Sequence, residues 1–178
     1  LDVSASSADG LREVVHSYRA PTNKTLTLGP MVNAPSIFIE VSVFHLGIRP
    51  HARVASQPEY STAMAVEYLQ ALNQQSVKVV IVMTTAAYLG GRPGTWTLTV
   101  PDLSSAGYQT SWGLQAGDGD SDWSVTGFEG NATLLLGGPA ADGATLVSAT
   151  RLSPGSLLSV QASIAPAARM VFWRAAAR

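Results

Sequence analysis

The sequence predicts an all-β protein: an antiparallel β-sandwich, immunoglobulin-like or jelly-roll-like, with roughly ten strands and at most one short helix. Three observations predict it. Valine, threonine and tryptophan alternate with period two in several short runs, the pattern of strands that turn one face to a core. Glycine- and proline-rich turn signals separate those runs at about 8- to 15-residue intervals. Charged residues make up only 13% of the 178 residues and apolar ones 46%, so the chain can bury a substantial core and lacks the composition of a disordered one. No internal repeat or low-complexity linker divides residues 1–178, and a single domain is expected.

"TWTLTV" is the clearest strand. Trp96, Leu98 and Val100 share an apolar face, and Thr95, Thr97 and Thr99 cover the other. "PSIFIEVSVF" places Ile37, Ile39, Val41 and Val43 inward. In "SVKVVIVMTT" Val77, Val79, Ile81 and Met83 share one face; the other (Lys78, Val80, Val82, Thr84) turns apolar in its middle, as in a central strand. Further strands are expected at 25–28 ("TLTL"), 108–114 ("YQTSWGL"), 122–128 ("DWSVTGF"), 132–136 ("ATLLL"), 144–150 ("ATLVSAT"), 156–164 ("SLLSVQASI") and 169–174 ("RMVFWR"). The run from Ser61 to Gln75 fits either period. Ala65, Tyr68, Leu69 and Leu72 have helical spacing, yet Met64, Val66 and Tyr68 alternate and "NQQ" can turn a hairpin, so context favours strand. "LREVVHSYR" near the N-terminus is equally ambiguous.

Composition excludes several classes of function. The net charge is −1, with no basic cluster, which argues against a nucleic-acid partner and against a polybasic membrane patch. The chain has no cysteine, so disulfides, cysteine zinc sites and thiol nucleophiles are absent. The longest uninterrupted apolar stretch is Val79 to Met83, far short of the ~20 residues of a membrane-crossing helix. The first residue is Leu1, not Met, which points to a signal peptide, propeptide or further domain upstream. "NKT" (Asn23 to Thr25) and "NAT" (Asn131 to Thr133) match the glycosylation pattern at chance frequency, and the Ala-, Gly- and Ser-rich composition favours a bacterial source.

One stretch carries a chemical pattern. In "GDGDSDWSVTGFE", Asp118, Asp120, Asp122 and Glu129 fall at positions one, three, five and twelve of a calcium loop. Position six, however, is Trp123 where the sharp turn needs glycine, and "SVTGF" reads as a strand. The competing reading is a solvated hairpin turn, with Trp123 and Val125 the first inward residues of the next strand. What survives is a turn-bound Ca²⁺ at Asp118, Asp120 and Asp122, with Glu129 outside it. No other cofactor is indicated.

Other constellations are weak. His16, His45 and His51 lack metal-ligand spacing, and satisfied or surface histidines are expected. "GGRPG" lacks the Lys-Ser/Thr ending of a phosphate loop and precedes a strand. There is no Gly-x-Ser-x-Gly, His-Glu-x-x-His or Ser-x-x-Lys motif, so a hydrolase would need a non-local active site. Trp96 and Trp123 fall on core faces, whereas Trp112 and Trp173 can face either way and leave room for a carbohydrate-binding platform.

"AAYLGGRPGTWTLTVPDLSSAGYQTSWGL", from Ala86 to Leu114, resembles the strand-turn-strand run of bacterial extracytoplasmic immunoglobulin-like or fibronectin type III-like modules. The likeness is architectural and carries over no site residue; the cysteine-tryptophan-cysteine core of antibody-type domains is missing. It implies a module that spaces, scaffolds or binds, located in the periplasm, at the cell surface or outside the cell. The expected function is therefore non-catalytic: a structural or interaction subunit with a protein partner, docking on a larger extracytoplasmic or membrane-associated complex. Phe172, Trp173 and Arg174 in "RMVFWRAAAR" are candidate interface residues, since rings flanked by arginine suit an interface. The alternatives are a carbohydrate-binding or calcium-stabilised adhesion module and the hydrolase above.

Overall fold

The computed structural model describes residues 1–20, 23–41, 48–73, 76–101, 107, 109–115 and 121–154. Among them are nine strands: β1 (Asp2–Ser6), β2 (Arg12–Ser17), β3 (Ser36–Val41), β4 (Ile48–Ala55), β5 (Ala63–Asn73), β6 (Ser76–Thr85), β7 (Thr95–Thr99), β8 (Ser121–Gly130) and β9 (Thr145–Leu152). A single α-turn, α1 (Ala132–Leu135), joins β8 to β9, and Thr110–Trp112 forms a 3₁₀ turn. Six strands make one sheet in the order β1-β2-β9-β8-β5-β6, and three make another in the order β3-β4-β7. Every pairing is antiparallel. The fold is thus mostly antiparallel β, as the alternation predicts. The candidate strands at 156–164 and 169–174 lie outside the described residues.

The two sheets share a core. Ala52 and Val54 of β4 and Trp96 and Leu98 of β7 pack with Met64, Val66 and Tyr68 of β5, Val125 of β8 and Ala149 of β9. Residues paired across a ladder share a face, so the register assigns the rest. Val66 opposes Val82 and Val125, and Tyr68 opposes Val80 and Trp123; Val80, Val82 and Trp123 are the half-buried margin of the same core. A smaller cluster lies on the other face of the six-stranded sheet, where Leu135 of α1 covers Ala63 and Phe128, with Ala65, Met83 and Leu146 around them.

The ambiguous segments settle as strands. Ser61 to Gln75 contains β5, which is paired along most of its length to both β6 and β8; two ladders outweigh the helix propensity of its Ala, Met, Glu and Leu residues. "LREVVHSYR" contains β2, held between β1 and β9.

Four expectations are overturned. Among the described residues β6 is an edge strand and not a central one: Val80 and Val82 point to the core, whereas Val79 on the other face is 51% and Ile81 46% exposed. Residues 25–28 alternate in burial as a strand would but join no ladder. The segment that follows is tied down by side chains: Arg151 Nε donates to the Val32 carbonyl (2.7 Å), Gln57 Nε2 to that of Met31 (3.2 Å) and the Tyr60 hydroxyl to that of Pro30. "ATLLL" forms α1, because Asn131 Oδ1 accepts from the Thr133 and Leu134 amides at 2.9 and 3.1 Å, a helix N-cap that the strand reading overlooked. Gly130 just before it has φ +116°, and a Cβ there would stand 2.1 Å from the Thr145 carbonyl oxygen, so only glycine fits. Residues 109–114 of "YQTSWGL" turn instead of extending. There Gln70, fully buried on β5, receives the Gln115 amide on its side-chain oxygen and donates its side-chain nitrogen to the Gln115 carbonyl, both at 2.9 Å. This side-chain amide stands in for a neighbouring backbone and satisfies polar groups that burial would otherwise penalise.

A fifth expectation holds only by half. Ile37 packs on the core. Ile39 shares its face by register, since the two oppose Pro50 and Ala52, but Ile39 is 57% exposed. The Val43 position lies outside the described residues.

Candidate functional site

The acidic stretch is divided by the structure. Asp118 and Asp120 lie outside the described residues. Asp122 sits near the start of β8, where its Oδ1 accepts from the Ser153 hydroxyl at 3.2 Å, and the same hydroxyl oxygen receives the Trp123 amide at 3.2 Å. Glu129 is at the other end of that strand, roughly 23 Å along it. Its Oε2 takes the Ser61 amide (2.6 Å) and the Ser61 hydroxyl (2.7 Å). Glu129 therefore fastens the approach to β5 and stands apart from Asp122. A twelve-residue helical calcium loop is ruled out, because β8 already runs from Ser121 to Gly130. Among the described residues no three His, Asp or Glu side chains gather as metal ligands.

The histidines are occupied. His16 Nδ1 lies 2.8 Å from Thr145 Oγ1 and 3.2 Å from Lys24 Nζ; an ammonium only donates, so the imidazole nitrogen accepts. His51 Nδ1 lies 3.0 Å from Thr99 Oγ1 on the outer face of the three-stranded sheet. His45 lies outside the described residues. Burial pushes the Tyr68 phenol far above its ordinary range, so it stays protonated and is no base. Burial likewise raises the Glu67 carboxyl. Its cross-strand neighbours are Ile81 and Ser124, neither of which is a nucleophile paired with a base.

The most distinctive surface of the described residues is apolar. Among the described residues β3 is the outer strand of its sheet, and Phe38 (53% exposed) and Ile39 lie on it. The Arg53 guanidinium stands 5.6 Å from the centroid of the Phe38 ring, a cation–π contact that holds the ring upright at the surface. An outer strand offers unpaired main-chain donors and acceptors along its free side. The sequence reading expected this strand with Ile39 inward, and alternation does not encode which strand of a sheet lies outermost. Phe172, Trp173 and Arg174, the interface candidates from sequence, lie outside the described residues.

Comparisons with protein-family models, with curated proteins and with solved structures returned no match. No helix of the described residues is long and apolar enough to cross a membrane.

Proposed function

We propose that this chain is a non-catalytic interaction module of a two-sheet β-sandwich kind, an accessory subunit of a larger extracytoplasmic or membrane-associated assembly. It binds its protein partner by accepting a strand along β3. The observation that carries this reading is the outer strand itself, which presents Phe38 and Ile39 to solvent. Main-chain pairing along the edge supplies affinity, and the two apolar side chains supply selectivity. Lysine and proline, which commonly guard outer strands, are absent from "SIFIEV".

A photo-reactive phenylalanine at position 38, irradiated in an extract of the source organism, tests this. A defined adduct that disappears when Ile39→Pro is added supports the reading. No adduct, or one equally strong from Tyr88 on the turn after β6, would refute it. Far-ultraviolet circular dichroism of the proline variant checks that the fold survives.

A second reading has one observation in its favour. Trp112 on the 3₁₀ turn is an exposed aromatic residue, the type of platform on which a sugar ring stacks. Quenching or a shift of tryptophan fluorescence by soluble oligosaccharides, lost in Trp112→Ala, would support it. For the calcium-stabilised form of that reading, millimolar Ca²⁺ would raise the melting temperature relative to EDTA by linkage. The interaction-module reading expects equal midpoints.

A further inference from the structure

The solvent face of the three-stranded sheet carries a charge pattern that bears on what β3 can accept. β4 lies between β3 and β7, and the ladders set its outward residues in rows. Ser36, Arg53 and Thr97 form one row, Phe38, His51 and Thr99 the next, and Glu40 with Arg49 the one beyond. Ser36, Arg53 and Thr97 are all exposed, so the first row is open to solvent across its width. In the next row His51 is already bonded to Thr99 at 3.0 Å. The one acid of the three strands is Glu40, opposite Arg49 and about 13 Å along β3 from Ser36.

Arg53 is therefore the cation of this face that stands beside neutral residues. Among the described residues no carboxylate pairs with it, and its guanidinium sits 5.6 Å from the centroid of the Phe38 ring. A ring contact satisfies none of the guanidinium's five N–H donors. It leaves them for a planar acceptor such as a carboxylate, which Arg binds through two parallel bonds.

The ring contact also displaces the charge. Arg53 belongs to β4, but Phe38 belongs to β3, so the guanidinium leans over the outer strand. Ser36, directly opposite Arg53, has too short a side chain to stand in the way. A strand added on the free side of β3 lies about 4.8 Å further out. That distance is within reach of an Asp or Glu side chain facing the same way.

We propose that the segment accepted by β3 is acidic, with an Asp or Glu beside Ser36 on the solvent face, where its carboxylate takes the Arg53 guanidinium. This rests on the strand-addition reading above and gives the partner its chemistry. Main-chain pairing supplies affinity to any extended segment, and the exposed cation selects among them by favouring acids and opposing lysine or arginine at that position.

Three synthetic eight-residue segments of alternating valine and threonine test this against the full ¹⁵N-labelled chain. They differ only in carrying two glutamates, two glutamines or two lysines in place of threonine. Dissociation constants are read from the amide shifts of residues 36–40. The glutamate segment should bind at least about fivefold more tightly than the lysine one, with glutamine between them, and about 0.5 M salt should narrow the gap. Arg53→Glu should reverse the order, whereas Lys78→Glu, the same charge change on β6, should preserve it. Equal shifts from all three segments would overturn the acidic preference and leave strand addition standing. Shifts from none of them would remove strand addition and this inference with it. A glutamate preference that survives Arg53→Glu would also overturn the assignment. Circular dichroism checks each fold, and if Arg53→Glu unfolds the chain, Arg53→Gln should abolish the preference.

Discussion

The two faces of the six-stranded sheet are built from the same strands and solve opposite problems. One is closed by β4 and β7, and its centre is Met64, Val66, Tyr68 and Val125, with Trp96 and Leu98 laid across them. The other carries a smaller cluster in which Leu135 packs on Phe128 and Ala63, and it leaves Val79 and Ile81 at its margin exposed to solvent. Adjacent residues of one strand therefore live in different media. A side chain's contribution here follows from what lies over its face, and neighbouring chemistry in the sequence says little about it.

The largest effect should come from opening the closed face. Trp96→Ala removes a fully buried ring from the centre of the shared core and should cost about 3–5 kcal/mol, lowering the melting temperature by roughly 10 °C for a chain of this size. A shift of under about 2 °C would mean that β7 does not seal the sheet. Valine-to-threonine changes sharpen the contrast at constant shape. Val66→Thr puts a hydroxyl into the closed face and should cost about 1–3 kcal/mol in urea denaturation, whereas Val79→Thr should stay within about 0.5 kcal/mol. Equal costs would erase the distinction between the faces.

Where Leu135 packs on Phe128, Asn131→Ala deletes the cap of α1 and should cost about 1 kcal/mol, with faster amide exchange at Thr133 and Leu134. The smallest effect belongs to the outer hairpin. Asp9 in the β1–β2 turn accepts from the Ser7 hydroxyl and the Leu11 amide, and these bonds hold its carboxyl below the usual range. A depressed folded-state value means that the stabilisation is present above the ordinary carboxylate pKa and is lost as pH falls through the lowered one. Asp9→Ala should thus lower the melting temperature slightly at pH 7 and not at all at the acid end of that window. An equal loss at both pH values would place its role outside the charged carboxylate.

Legibility followed the kind of information each element needed. β7 could be read directly, since Trp96 and Leu98 alternate with threonine and one face is buried. β5 could be read as strand only by leaning on context, and its two ladders explain why context prevailed. Residues 25–28 show the limit: their alternation is real, but the partners that hold the adjoining segment are side chains of Gln57, Tyr60 and Arg151. The end of the acidic stretch was legible as a strand, with Trp123 against the core. The surfaces were much less so. Ile39 reads as a core residue by alternation, and the order β3-β4-β7 of the described strands puts it on an outer strand.

Composition and period-two alternation determined that this protein is antiparallel β and that its threonine-rich faces meet water, because burial of alternate side chains is a local property of the chain. The lack of cysteine also removed thiol chemistry of these residues from consideration. Which face of β6 is buried and which strands stand at the edges were decided by tertiary structure. Each depends on register between strands far apart in sequence, and a shift of one residue would exchange the two faces.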